Sequence, residues 1–255
     1  MTTAFMSNCA RLAARPLTCG GTPTHAWLSA GFDAAHLNLA SCPELVIAGA
    51  HPDDETLGFG ATASQLASAG VPVQIVSASD GGAAYSSSSV LDRYRLERTR
   101  RAELHRAARV LGVAAPICLG LPDGEIAEHE DRLADLLTEI LAVKPPGTWC
   151  AGTWRGDGHP DHEAVGRAAA TAAKRTGAVL MEYPVWMWHW ARPGDEAVPW
   201  RRMSAVATDA AATERKRLAA QSFRSQFLPP TADEPPVLPP AVLHRLLAVG
   251  EVVFR

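Results

Sequence analysis

From residue 44 onward the chain alternates continuous apolar, β-type runs with stretches of helical period, and few folds accept that rhythm. The apolar runs are 44–50 (ELVIAGA), 71–79 (VPVQIVSAS), 115–121 (APICLGL), 148–154 (TWCAGTW) and 178–186 (AVLMEYPVW). Helical patterns lie between them at 57–69, 92–112, 128–143 and 162–176. In the second of these, Leu96, Leu104, Ala107, Ala108 and Leu111 share one face and Gly112 supplies a natural stop. A strand that is apolar at nearly every position is buried on both faces. Such strands, alternating with helices, build a mostly parallel sheet covered on both sides.

The expected fold is a single Rossmann-like α/β domain over residues 44–255, with no internal repeat. Its last part reads as a strand (203–209), a helix (211–225), a Pro-rich link (229–240), a short helix (240–248) and a final strand (251–255). Residues 1–43 have weak periodicity and no clear strand. They read as an N-terminal extension, wrapped on the domain or partly disordered, with Trp27 and Leu28 as anchors.

A net charge of −3 over 255 residues points to neither a nucleic-acid nor a membrane-surface partner. The basic cluster Arg93–Arg106 is interleaved with Glu97 and Glu103, as on a solvated helix face, with a substrate-facing Arg as the rival reading. No apolar stretch approaches the ~18–20 residues of a membrane span, and no signal-peptide core is visible, so the expected location is cytoplasmic. The five Cys form no CxxC. Cys118 and Cys150 fall in apolar runs and read as buried thiols.

The first strand runs straight into His51-Pro52-Asp53-Asp54-Glu55. Charge is costly to bury without partners, but in open α/β sheets ligands bind in the crevice at the carboxyl ends of the strands. A second charged turn, His159-Pro160-Asp161-His162, follows the strand at 148–154. Parallel connectivity brings both turns to the same sheet edge. That juxtaposition offers His51, Asp54 and His162 as a two-imidazole, one-carboxylate set, of the kind catalytic zinc uses while keeping a position for water. Pro52 and Pro160 stiffen the two turns. Asp80, in Ser79-Asp80-Gly81-Gly82, also follows a strand; site lining and turn chemistry both remain open for it.

With these residues in view, the chain resembles the PIG-L/LmbE-like family of zinc-dependent N-deacetylases. The resemblance spans about residues 44–226. It rests on Ala50–Glu55, on Gly158–His162, and on the weaker elements Arg100/Glu103, Leu121–Gly124 and Ser225-Gln226. It implies that His51, Asp54 and His162 hold Zn²⁺, with Fe²⁺ as an alternative for the same ligands, and that Asp53 is the general base. His159 would stabilise the oxyanion if protonated, with Asp161 holding its ring; Asp161 as a partner of His162 is the alternative. Arg100 and Asp123 would contact sugar hydroxyls, or else form a structural Arg100–Glu103 pair and a plain turn. Glu55 reads as a helix-start carboxylate. The implied substrate is a small N-acetylglucosamine-type sugar conjugate, with an amidase acting on a larger sugar-thiol conjugate or another N-acyl amide as the alternative.

Two rival classes fit parts of the pattern. Gly58 to Ala63 matches G-x-G-x-x-A and Asp80 lies about 20 residues on, the pattern of an NAD-dependent oxidoreductase. The glycines, however, come too long after the strand and would fall inside the first helix. Non-haem iron oxygenases use a similar ligand set, but the α/β rhythm speaks against them. The aromatic run 182–190 reads as core at Trp186 and Trp188 and stays open at Tyr183 and His189; loops 82–92, 186–200 and 227–240 are expected to shape the pocket.

Overall fold

A computed structural model describes residues 6–32, 34–85, 89–229 and 234–255. Parts of the expected loops 82–92 and 227–240 and of the N-terminal extension (1–5, 33, 86–88, 230–233) lie outside the described residues.

Eight strands form one sheet: β1 (Ala35–His36), β2 (Leu45–Gly49), β3 (Val73–Ser79), β4 (Ile117–Leu121), β5 (Trp149–Thr153), β6 (Val179–Tyr183), β7 (Met203–Ala205) and β8 (Val252–Phe254). Their order is β1-β7-β8-β6-β5-β2-β3-β4. The block from β4 to β6 is parallel throughout, while β8 runs antiparallel to both β6 and β7. The helices are α1 (Asn8–Ala13), α2 (Thr24–Leu28), α3 (Asp54–Ser68), α4 (Val90–Leu111), α5 (Glu130–Ala142), α6 (Pro160–Thr176), α7 (Met187–Trp190), α8 (Ala210–Ala220), α9 (Arg224–Phe227) and α10 (Pro240–Ala248). Among the described residues no helix is long and apolar enough to cross a membrane.

β2 explains the layering. All five of its residues are buried. Leu45 and Ile47 enter one apolar cluster with Leu57, Phe59 and Leu66 of α3, and Val46 and Ala48 enter another with Ala164, Val165 and Ala168 of α6. The two-residue alternation of a strand thus feeds two cores at once. Gly58 and Gly60 sit inside α3 rather than in a phosphate-binding turn. A Cβ at Gly58 would collide with the Tyr183 ring, so the glycine serves close helix–sheet packing. Gly112 closes α4 in the left-handed conformation, φ 78°, as a C-terminal stop requires.

Four features depart from the sequence reading. The helix expected over 211–225 is split into α8 and α9. Residues 35–36 add an edge strand beside β7, so the N-terminal segment joins the sheet. Trp27 is an anchor, buried with Nε1 donating to the Trp188 carbonyl at 2.9 Å, whereas Leu28 is exposed. Cys150 is buried but Cys118 only half so.

Candidate active site

β3 and β4 lie on one side of β2, and β5 and β6 on the other. The chain reverses its direction of travel across the sheet between β2 and β5, the kind of crevice where α/β sheets bind ligands. The turn after β2 and the turn before α6 open onto it.

Each of the two imidazoles is held by a carboxylate on one ring nitrogen and turns the other toward Asp54. His162 Nδ1 lies 2.8 Å from Asp157 Oδ2, and its Nε2 lies 3.2 Å from Asp54 Oδ1. His51 Nε2 lies 2.9 Å from Asp123 Oδ1 and 3.3 Å from Asp161 Oδ2, and its Nδ1 lies 3.5 Å from Asp54 Oδ2. Asp54 is fixed by accepting from the backbone N–H groups of Ala50 and His51, at 3.0 and 2.9 Å. One ligand atom from each of His51, Asp54 and His162 falls within 4.8 Å of the others, so this set can hold a metal ion; His51, His159 and Asp161 form a second such group.

The donors fit a cation. His162 is fully buried, and its Nε2 makes no hydrogen bond among the described residues. Surrounding carboxylates outweigh burial and push His162 up to about 9 and His51 well above the ordinary histidine range. Asp54 is held well below the usual carboxylate range by the imidazoles, despite its burial. The site therefore favours positive charge at its centre.

Asp53 borders the cavity without joining the ligand set. It is the one non-glycine with positive φ (157°, ψ −28°) among the described residues, a backbone setting that active sites often hold. Burial pushes its carboxyl up to about 7, against the lowering pull of the Arg100 guanidinium. Arg100 is itself buried at 3% exposure; Nη2 reaches Asp53 Oδ1 at 3.4 Å and Nη1 donates to the Gly81 carbonyl at 3.0 Å. This part of α4 is therefore not a solvated face. The alternative Arg100–Glu103 pair is not formed: Glu103 accepts instead from the Ser225 N–H and hydroxyl, at 2.9 and 2.6 Å.

Other expected residues fall in different places. Asp161 does not hold the His159 ring with its carboxylate. Its oxygens accept from the N–H groups of Gly124 (2.9 Å) and Ile126 (3.2 Å) and back His51. The Asp161 N–H donates to His159 Nδ1 at 3.3 Å, which assigns the neutral tautomer with the proton on Nε2. Burial and the neighbouring imidazoles push His159 down to about 3, the direction that favours its uncharged ring. Asp123 lines the cavity, but both its oxygens are engaged, one by His51 and one by the Ala83 N–H at 2.7 Å. Asp80 is absent from the cavity lining and pairs with Arg101 instead. Glu55 lies in the first turn of α3, as read; it is fully buried, and burial raises it to about 8.

Asp157 went unread in the sequence. Besides His162, this buried carboxylate accepts from the N–H groups of Val185, Trp186 and Met187, at 2.9–3.0 Å. Its signal was a second acid in the turn GDGHPDH, five residues before His162. Gln226, named only as part of a weak element, is fully buried and lines the cavity. Trp186 lines it too, while Trp188 is core. Tyr183 is core, its hydroxyl donating to the Ala48 carbonyl at 2.9 Å. His189 stays outside the cavity lining and meets the Arg15 carbonyl at 2.9 Å through Nε2.

Comparison with known proteins gives these residues a context. The family model described as GlcNAc-PI de-N-acetylase (PIG-L) matches residues 45–173. A 1D-myo-inositol 2-acetamido-2-deoxy-alpha-D-glucopyranoside deacetylase of Mycobacterium sp. (strain KMS) is 30% identical over 164 residues, 52% of this chain and 51% of that protein. A diacetylchitobiose deacetylase of Thermococcus kodakarensis is 28% identical over 128 residues, 50% of this chain and 48% of its own length. The chain thus spans about half the length of these curated relatives. Among solved structures, N,N'-diacetylchitobiose deacetylase from Pyrococcus horikoshii superposes with a TM-score of 0.58 at 22% identity, over 74% of this chain and 73% of that one, and shares the fold. With both charged turns inside the matched stretch, the chain belongs to the PIG-L family.

Proposed function

We propose that this protein is a metal-dependent N-deacetylase acting on an N-acetylglucosamine-type sugar conjugate. The observation that carries the reading is the pair of imidazoles, His51 backed by Asp123 and the buried Asp161 and His162 by the buried Asp157, each turned toward Asp54. Carboxylate–histidine pairs of this kind orient metal ligands and set their tautomers. Asp53 lies beside them on the cavity wall, outside the ligand set and 3.4 Å from Arg100, where it can act as a base. The names of these relatives, both deacetylases of acetylated amino sugars, support the choice of substrate class.

His51, Asp54 and His162 would hold the ion, with zinc preferred for two imidazoles and one carboxylate and ferrous iron as the alternative. Such an ion polarises an amide carbonyl and acidifies water near neutrality. Asp53 takes the proton of the attacking water as the new C–O bond forms at the acetyl carbon. The neutral His159 offers its Nε2–H to the oxygen that gains charge. When the C–N bond breaks, Asp53 returns a proton to the leaving nitrogen, and acetate and a primary amine result. Arg100, 3.4 Å from Asp53, orients that carboxylate and favours its ionised form before the water is deprotonated.

The test is primary-amine release from a panel of N-acetylglucosaminides, using chelator-stripped protein with and without added Zn²⁺. The proposal expects release only when metal is restored. Metal binding without release from any member would contradict the deacetylase reading.

A further inference from the structure

The site opens into one cavity of about 420 Å³, within the range of pockets that enclose drug-sized ligands, about 300–1,000 Å³. Its lining is of two kinds. Titratable groups, among them His51, Asp53, Asp54, Arg100, His159 and Asp161, form one part of it. The other part is an apolar wall that comes from three separate stretches: Leu12 and Leu17, Val185 and Trp186, and Val237 and Leu238. All six lie outside residues 45–173, as do Arg15 and Gln226, whereas the groups just named lie within them, where Leu57, Ala83 and Ala84 add smaller apolar lining. The candidate metal ligands and Asp53 thus come from the stretch that matches the family, and the bulkier part of the apolar wall from the segments that flank it.

The N-terminal part of that wall is docked at several points. Asn8 Nδ2 donates to the Gly156 carbonyl at 2.8 Å, and Arg11 pairs with Asp195 at 3.2 Å. The Thr22 N–H donates to the His189 carbonyl at 3.0 Å. Arg245, 1% exposed, donates to the Gly20 carbonyl at 2.7 Å and meets His189 Nδ1 at 3.0 Å. Gly158, just before His159, leaves room for this segment: a Cβ there would meet the Asn8 carbonyl at 2.9 Å and Leu12 at 3.2 Å. Leu12 and Leu17 are therefore fixed relative to the charged turn.

We propose that the sugar conjugate carries an apolar alkyl or aryl group that packs on this wall, and that residues 8–17 set the preference for it. A sugar ring and an acetamide bring polar groups to the charged residues but offer an apolar wall little to bury. An apolar substituent gains binding free energy with each methylene removed from water. This inference rests on the deacetylase reading for the sugar part of the ligand. The wall itself is testable without turnover.

Two arms place the apolar group on either end of the conjugate. The first compares octyl with methyl glucoside, neither of which carries an amide, in binding to the zinc-loaded protein by calorimetry. The second compares amine release, as kcat/KM, from methyl N-octanoyl- and N-acetylglucosaminides. The longer chain is expected to be favoured roughly tenfold or more in one arm, and that arm tells which end bears the group. Leu12→Asn and Leu17→Asn, made separately, should bring the ratio close to one, acting through KM more than kcat. Retained Zn²⁺ affinity in each variant shows that the charged residues are intact. Equal binding and equal turnover for long and short chains would overturn the proposal, as would a preference that both variants leave unchanged. A chain-length preference in binding without amine release from any substrate would retain the wall and reject the deacetylase reading.

Discussion

The two turns His51-Pro52-Asp53-Asp54 and His159-Pro160-Asp161-His162 read almost alike, yet the fold gives their residues different work. In the first, the helix starts at the fourth residue, Asp54; in the second, it starts at the second, Pro160. The fourth residues face each other, Asp54 Oδ1 to His162 Nε2 at 3.2 Å. The third residues diverge. Asp53 looks onto the cavity beside Arg100, whereas Asp161 lies in the first turn of α6 and spends its carboxylate on the backbone of Gly124 and Ile126 and on His51. The first residues diverge as well: His51 sits among carboxylates, while His159 caps its own helix by accepting the Asp161 N–H. Where the helix begins relative to the tripeptide, rather than the tripeptide itself, decides which side chain is free to do chemistry.

Exchanging the third residues breaks this comparison most sharply. Asp53→Asn is expected to lower turnover by roughly 10²–10⁴-fold with metal retained, while Asp161→Asn keeps most of its turnover at saturating metal. Steady-state amine release with metal analysis separates the two, and equal losses would end the distinction. His162→Ala should empty the purified protein of metal, and His159→Ala should leave it loaded, as read by elemental analysis. Asp157→Asn, which weakens the backing of His162, should reduce metal affinity by roughly 10–100-fold in a chelator competition. The smallest effect belongs to Pro160→Ala at the helix start, expected to cost under about 1 kcal/mol in urea unfolding of the metal-free protein.

The parallel sheet was legible because its strands are apolar at consecutive positions, a pattern that burial on both faces explains; β2 bears this out residue by residue. The gathering of His51, Asp54 and His162 was legible for a related reason: parallel strands deliver their following turns to one edge. Asp157 was not legible. Its partners, the N–H groups of Val185, Trp186 and Met187, are nearly 30 residues away and have no side-chain signature. Asp80 was misleading because a position at a strand end does not fix side-chain direction, and Arg101 on α4 offered a nearer partner than the cavity. The N-terminal wall was hidden for a third reason: Leu12 and Leu17 lie in short elements whose docking depends on Gly158, His189 and Arg245 far along the chain.

Which side chains would hold an ion is the central question, because His51 is shared by both candidate groups. Anomalous scattering at the zinc edge, from crystals of the zinc-loaded protein, decides it. One peak within about 2.0–2.2 Å of His51, Asp54 and His162, with Asp53 and His159 beyond ligand distance, is the result expected. A peak held by His51, His159 and Asp161 would contradict the assignment, and with it the roles of Asp53 as base and His159 as hydrogen-bond donor.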